Sequence, residues 1–148
     1  MLRSSRVIGV AAAMVGAGVL SIAPAAATAP RAGATYKGPI ATAASSEGTV
    51  SFTVSKDGKT VTHLRVGPYP LNTCGSGGAP PHQSSKPAAI HDGKFTGHVA
   101  YSGGGNVFAK ATVTGKFLRK GKEKGVVTTV ILGNSQCGQS LPYATHVK

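Results

Sequence analysis

The stretch Val107-Phe108-Ala109-Lys110-Ala111-Thr112-Val113-Thr114-Gly115-Lys116-Phe117 decides the fold. Read with a period of two, it places Val107, Ala109, Ala111, Val113, Gly115 and Phe117 on one side, and Phe108, Lys110, Thr112, Thr114 and Lys116 on the other. That is the alternation of a half-buried β-strand, not the 3.6-residue period of a helix. The run is long for a strand, so a bend or bulge is expected within it.

Downstream, Leu118 to Lys124 reads as a basic hairpin turn. Gly125 then opens the continuous apolar run Val126 to Leu132, which predicts a central strand buried on both faces. Leu141 to Val147 is expected to be a short edge strand. Upstream, Ser102 to Asn106 is a glycine-rich connection. Lys94 to Tyr101 is a strand whose Phe95, Val99 and Tyr101 share a face that Gly97 interrupts.

Two turns punctuate the earlier part of the chain. Lys56-Asp57-Gly58-Lys59 joins the alternating strand Val50-Ser51-Phe52-Thr53-Val54 to a return strand over Thr60 to Val66, because Asp-Gly tolerates the positive φ of tight turns. His91-Asp92-Gly93 supplies a second turn after Ala88 to Ile90. From Gly67 to Pro87, repeated Gly and Pro with little apolar periodicity predict a long irregular loop. No segment after residue 35 holds a helical period over three turns. The predicted fold is therefore all-β, an antiparallel sandwich or barrel of about seven strands.

At the other end of the chain, Arg3 and Arg6 precede an uncharged run from Val7 to Ile22, followed by Ala23-Pro24-Ala25-Ala26-Ala27. A run of about 16 residues is short for a membrane span, and small residues follow it in A-x-A order, so residues 1–27 read as a secretory signal peptide. Cleavage is expected after Ala27, since cutting after Ala29 would put Pro30 directly beyond the scissile bond. The expected organisation is a signal peptide over 1–27, a flexible segment over 28–34 and one secreted β-domain over 35–148, with no stable membrane insertion after cleavage.

Export places the chain in an oxidising compartment, where Cys74 and Cys137, its only cysteines, are expected to form one disulfide. Closing that loop of about 64 residues would remove roughly 4 kcal/mol of chain entropy from the unfolded state. A metal site or a reactive thiol is not expected, because neither C-x-x-C nor a Cys/His ligand spacing is present.

Sixteen Lys and Arg stand against four Asp and Glu, a formal net charge of +12. Such a balance favours anionic surroundings: teichoic acids, phospholipid headgroups, extracellular DNA or acidic polysaccharide. Lys116, Arg119, Lys120, Lys122 and Lys124 form the densest cationic group, expected to converge at one hairpin tip. With Phe117 the only ring among them and no Trp in the chain, specific nucleic-acid binding is not predicted.

The combination of Gly48-Thr49-Val50-Ser51-Phe52-Thr53-Val54, Asp57-Gly58-Lys59-Thr60-Val61, Cys74, Ile90-His91-Asp92-Gly93-Lys94-Phe95, Val113-Thr114-Gly115-Lys116-Phe117 and Cys137 resembles small exported β-rich proteins of actinobacterial type. The resemblance implies export and β architecture over most of the chain after the leader, and carries no catalytic residue and no cofactor.

Catalytic chemistry finds little material. Asp57 and Asp92 are explained by their turns, and Glu47 and Glu123 lie in loop-like sequence, so no acid–base carboxylate pair is expected. His63, His82, His91, His98 and His146 form no H-x-H or H-E-x-x-H pattern, and Cys74-Gly75-Ser76-Gly77-Gly78 lacks the nucleophile elbow of serine hydrolases. The expectation is a non-catalytic extracellular or cell-surface binding module, with an anionic cell-wall polymer or another secreted protein as partner. Two other readings compete. In one, the loop from Gly67 to Pro87 engages a protein partner or inhibits a protease through Tyr69 and Leu71. In the other, the chain is a small secreted hydrolase, which would require clustered Asp, Glu, His and Ser side chains in one pocket.

Overall fold

Period-two alternation organises every long strand, and neighbours in sequence pair with one another until the sheet closes on itself. The computed structural model describes residues 27–41, 48–67, 69–70, 78–79, 82–84, 86–103 and 105–148. Eight strands build the wall: β1 (Thr35–Pro39), β2 (Thr49–Val54), β3 (Thr60–Val66), β4 (Ala88–His91), β5 (Lys94–Gly103), β6 (Asn106–Leu118), β7 (Lys122–Ile131) and β8 (Asn134–Val147). Each is antiparallel to the next, and β1 pairs with both β2 and β8, so the chain forms an antiparallel closed barrel. Closure settles the choice between sandwich and barrel and removes the outermost edges that an open sheet exposes. The wall has eight strands against the expected seven or so, and β8, expected as a short edge strand over Leu141 to Val147, runs from Asn134 and is hydrogen-bonded to neighbours on both sides.

The apolar run in β7 is likewise not buried on both faces. Val127 is buried, while Val126 and Val130 are 38% and 44% exposed. The wall is a single layer, so one face of each strand meets the core and the other meets solvent.

Alternation breaks in β3, where Val61, Leu64 and Val66 all point inward. His63 adopts φ 52, and the β2–β3 register shifts between Ser51 and Thr53. The extra residue of this bulge turns the strand's later side chains back into the barrel.

Rings fill one end of the interior. Tyr36 stacks on Phe52 at a centroid distance of 5.1 Å and 9° between planes, while Phe117 and Phe95 close on the pair at 5.1 to 6.0 Å. Two inward glycines make room. A Cβ on Gly115 would run into the Phe95 ring and a Glu123 carboxylate oxygen, and one on Gly97 would meet Leu64 Cδ2. Gly97 therefore interrupts the apolar face of its strand because Leu64 of β3 occupies that place. Residues 27–33 cross the ring-filled end. The Thr28 N–H donates to the Phe117 carbonyl (3.0 Å), the Gly33 N–H to the Ser55 carbonyl (3.1 Å) and the Arg31 N–H to the Tyr36 hydroxyl (3.1 Å).

At the opposite end, Cys137 of β8 is 4% exposed. Cys74 and most of the loop from Gly67 to Pro87 lie outside the described residues. Within that loop, Tyr69–Pro70 pairs with Gly78–Ala79, and His82–Gln83 extends alongside the end of β3.

Candidate functional site

The basic group expected at one hairpin tip is divided between the tip and the outer wall. Arg119–Gly121 forms a short turn, with Lys120 at φ 62, and only Arg119 and Lys120 of the predicted set sit there. Lys116 belongs to β6, and Lys122 and Lys124 belong to β7, all on the outward parity of their strands. Phe117 faces the core at 0% exposure and contributes nothing to this surface.

Register then adds residues that sequence reasoning missed. Lys116 lies directly opposite Lys94 of β5 on one side and Lys124 of β7 on the other. Three ammonium-bearing side chains thus form a row across three adjacent strands. One step toward the hairpin tip, Lys122 lies opposite His146 of β8, which lies opposite Lys37 of β1. Directly opposed side chains on one face have Cβ atoms roughly 5 Å apart, and like charges so placed destabilise the sheet. Two unit charges at about 5 Å repel by about 0.8 kcal/mol even at the dielectric of bulk water. Lys94, Lys116 and Lys124 also border a shallow depression of about 340 Å³ floored by Thr96 and Thr114.

Among the described residues, no acid interleaves these rows. Asp57 lies in the β2–β3 turn, where the Ser55 hydroxyl and the Lys59 N–H hold its carboxyl below the ordinary carboxylate range. Asp92 occupies the turn before Lys94 with φ 49. Glu123, although flanked in sequence by Lys122 and Lys124, points the other way and is 1% exposed. No sequence signal beyond strand parity locates it there, and parity is readable only once β7 is known to begin at Lys122.

Inside the barrel, Glu123 accepts hydrogen bonds from the Thr145 hydroxyl (2.6 Å) and the Tyr143 hydroxyl (2.8 Å). Burial pushes its carboxyl up to about 7, against the pull of both hydroxyls and the Lys116 backbone. Burial and the neighbouring Glu123 also drive the Tyr143 phenol upward. The group resembles an acid–base site in its chemistry, and it is enclosed by the wall.

The remaining histidines stay apart from it. His98 is exposed on β5 with Nδ1 at 3.3 Å from the Thr112 hydroxyl, and His63 is exposed at the β3 bulge. Among the described residues, no three His, Cys, Asp or Glu side chains are grouped to hold a metal ion. Ser76 and Leu71 lie outside the described residues. The chain matches no protein-family model, no curated protein and no solved structure. The geometry alone therefore defines the class: a closed antiparallel barrel with a cationic outer face.

Proposed function

We propose that the chain is an exported, non-catalytic β-barrel that binds anionic polymers at the extracellular or cell-surface side. The observation that carries this reading is the Lys94–Lys116–Lys124 row, flanked by Lys122, His146 and Lys37 and by Arg119 and Lys120 at the tip. Repulsion stored in such a row is relieved when closely spaced anions neutralise it, and counterions are released on binding. Aromatic side chains at this end point inward, so the surface offers charges to a polymer backbone and no platform on which bases could stack. That favours phosphodiester or carboxylate polymers of a cell wall over nucleic acid.

The export reading rests on residues 1–27 and on the resemblance to small exported β-rich proteins. It is joined to a structural proposal: buried Cys137 pairs with Cys74 and ties the long loop to the start of β8. Alkylation of the unfolded but unreduced protein should label no thiol; labelling of both cysteines would contradict the pairing.

Binding is tested with polyglycerol phosphate across a salt series. Wild-type protein should bind saturably, with affinity falling linearly in log salt. The triple variant K94Q/K116Q/K124Q should bind at least tenfold more weakly at low salt, with a slope smaller by about two, since each lost phosphate contact removes roughly 0.7 from it. A triple variant that binds as wild type would overturn the assignment of the row.

A further inference from the structure

Among the described residues, Val107, Phe108, Val126, Val130 and Leu132 are the large apolar side chains left 38% to 45% exposed. All belong to β6, β7 or the turn that follows β7, and all but Val126 gather at the end of the barrel away from the rings. The Leu132 N–H donates to the Phe108 carbonyl (2.9 Å), which sets those two residues side by side. The Phe108 ring rests against Gly103 of β5, where a Cβ would meet it at 3.5 Å. Lys110 is the next outward residue of β6, and register puts it between Ala100 of β5 and Val130 of β7.

An ammonium on a long apolar stem is thus ringed by apolar side chains where the β5–β6 and β7–β8 hairpins meet. Single exposed apolar residues are ordinary, but a contiguous group of this kind marks an interaction site. Among the described residues, no acid opposes the Lys110 charge. Asp57 and Asp92 lie in turns at the ring-filled end, where the Ser55 carbonyl accepts from the Gly33 N–H and the Gly93 carbonyl from the Phe117 N–H (2.8 Å), and Glu123 points into the barrel. The lysine row is remote, since Lys116 stands about 26 Å from Phe108 along β6 at the usual rise of a strand.

We propose that this rim docks on an anionic phospholipid bilayer, with Phe108, Val130 and Leu132 at the boundary of headgroups and acyl chains and Lys110 on a headgroup phosphate. The match is one of charge and polarity together. A lipid surface presents phosphate at one depth and hydrocarbon just below it; the apolar tips enter the second while the Lys110 stem reaches back to the first. A hydrophilic polyanion would leave the Phe108 and Leu132 side chains in water. A second copy meeting the patch with its own would bring two Lys110 side chains together with no described acid between them. The contact is peripheral, goes beyond the polymer reading and does not depend on it. The lysine row lies well outside the roughly 10 Å over which charges act at about 0.1 M salt.

The chain contains no Trp, so Phe108→Trp introduces a single indole whose emission reports its surroundings. The probe is a vesicle of phosphatidylglycerol and phosphatidylcholine in equal parts, at about 0.1 M NaCl. Thr35→Trp, at the exposed start of β1 beside the ring-filled end, is the comparison. Phe108→Trp emission should shift to the blue on titration and be quenched by lipids brominated on their acyl chains, whereas Thr35→Trp should show neither change. In the chain without Trp, the exposed double variant F108S/L132S should bind the vesicles at least tenfold more weakly while keeping the wild-type affinity for polyglycerol phosphate. Lys110→Gln should weaken vesicle binding about fivefold, the usual effect of one cation at an anionic surface. An unquenched Phe108→Trp, equal quenching of both indoles, or a double variant that binds vesicles as wild type would overturn the docking. So would a blue shift of Phe108→Trp with rising protein concentration and no lipid, which would assign the patch to a second copy.

Discussion

Phe52→Ala is expected to lower the free energy of unfolding by about 3–5 kcal/mol, the range for deleting a buried ring whose surroundings cannot collapse into the space. Phe52 is 1% exposed and central to the ring cluster: it stacks on Tyr36 and meets Phe95 and Phe117 edge-on. Each such pair contributes about 0.5–1.5 kcal/mol beyond the area it buries. Collapse is restricted because the three surrounding rings stand on three strands, β1, β5 and β6, each held by a ladder on both sides near this end of the barrel. Gly115 has already given its side-chain volume to Phe95, so no neighbouring side chain at that position can move in. Thermal unfolding should shift down by roughly 10–20 °C for a domain of this size. Phe52→Leu, which keeps most of the apolar volume, should cost less than half as much, and Ser51→Ala on the outward face of the same strand should stay within about 0.5 kcal/mol. A Phe52→Ala protein that melts with the wild type would mean that this end of the barrel is not packed as described.

Strand content was legible because it rests on local alternation. The side-chain parity of Val107 to Phe117 survives unchanged in β6 from Ala109 onward, and both Asp-Gly turns connect the strands that they were expected to connect. What failed depended on knowledge of neighbours. Val126 to Leu132 looks doubly buried when hydropathy is read alone, but a barrel wall has only one inner face, and β7 exposes the other. Leu141 to Val147, expected as a short edge strand, contains Pro142, which cannot donate to a ladder. In β8 that residue lies opposite Val126 within a continuous pairing that the missing N–H does not break. The His63 bulge leaves no mark in composition.

The site shows the same division. A cluster of cations between residues 116 and 124 is visible in the sequence, but its partners are not. Lys94, Lys37 and His146 join it only through register across β5, β1 and β8. Glu123 shows the reverse: sequence proximity suggests a solvated charge between two lysines, and strand parity places it on the other side of the wall. The same alternation that gathers Lys122 and Lys124 outside therefore withdraws the one acid between them into the barrel.

Withdrawing Glu123 into the barrel has a thermodynamic consequence that dominates the expected pH dependence of stability near neutrality. Its carboxyl titrates at about 7 in the folded chain against an ordinary 4.5, chiefly through burial. Between those values the folded chain holds a proton that the unfolded chain has released, so stability falls as pH rises from about 4.5 to 7 and is flat above that window. The shift corresponds to about 3 kcal/mol between the two ends. Asp57, whose carboxyl is held low by Ser55 and the Lys59 N–H, works in the opposite direction, but at pH values below this window. Chemical denaturation of wild type and Glu123→Gln at half-unit steps from pH 5 to 8 isolates the effect. The neutral amide can still accept from Thr145 or Tyr143 without acquiring charge, so the variant's curve should lose the descending limb. The difference between the two proteins should therefore move in favour of Gln by about 2–3 kcal/mol across the range. Parallel curves would show that Glu123 is ionised throughout, which would require water or a cation to reach it inside the barrel.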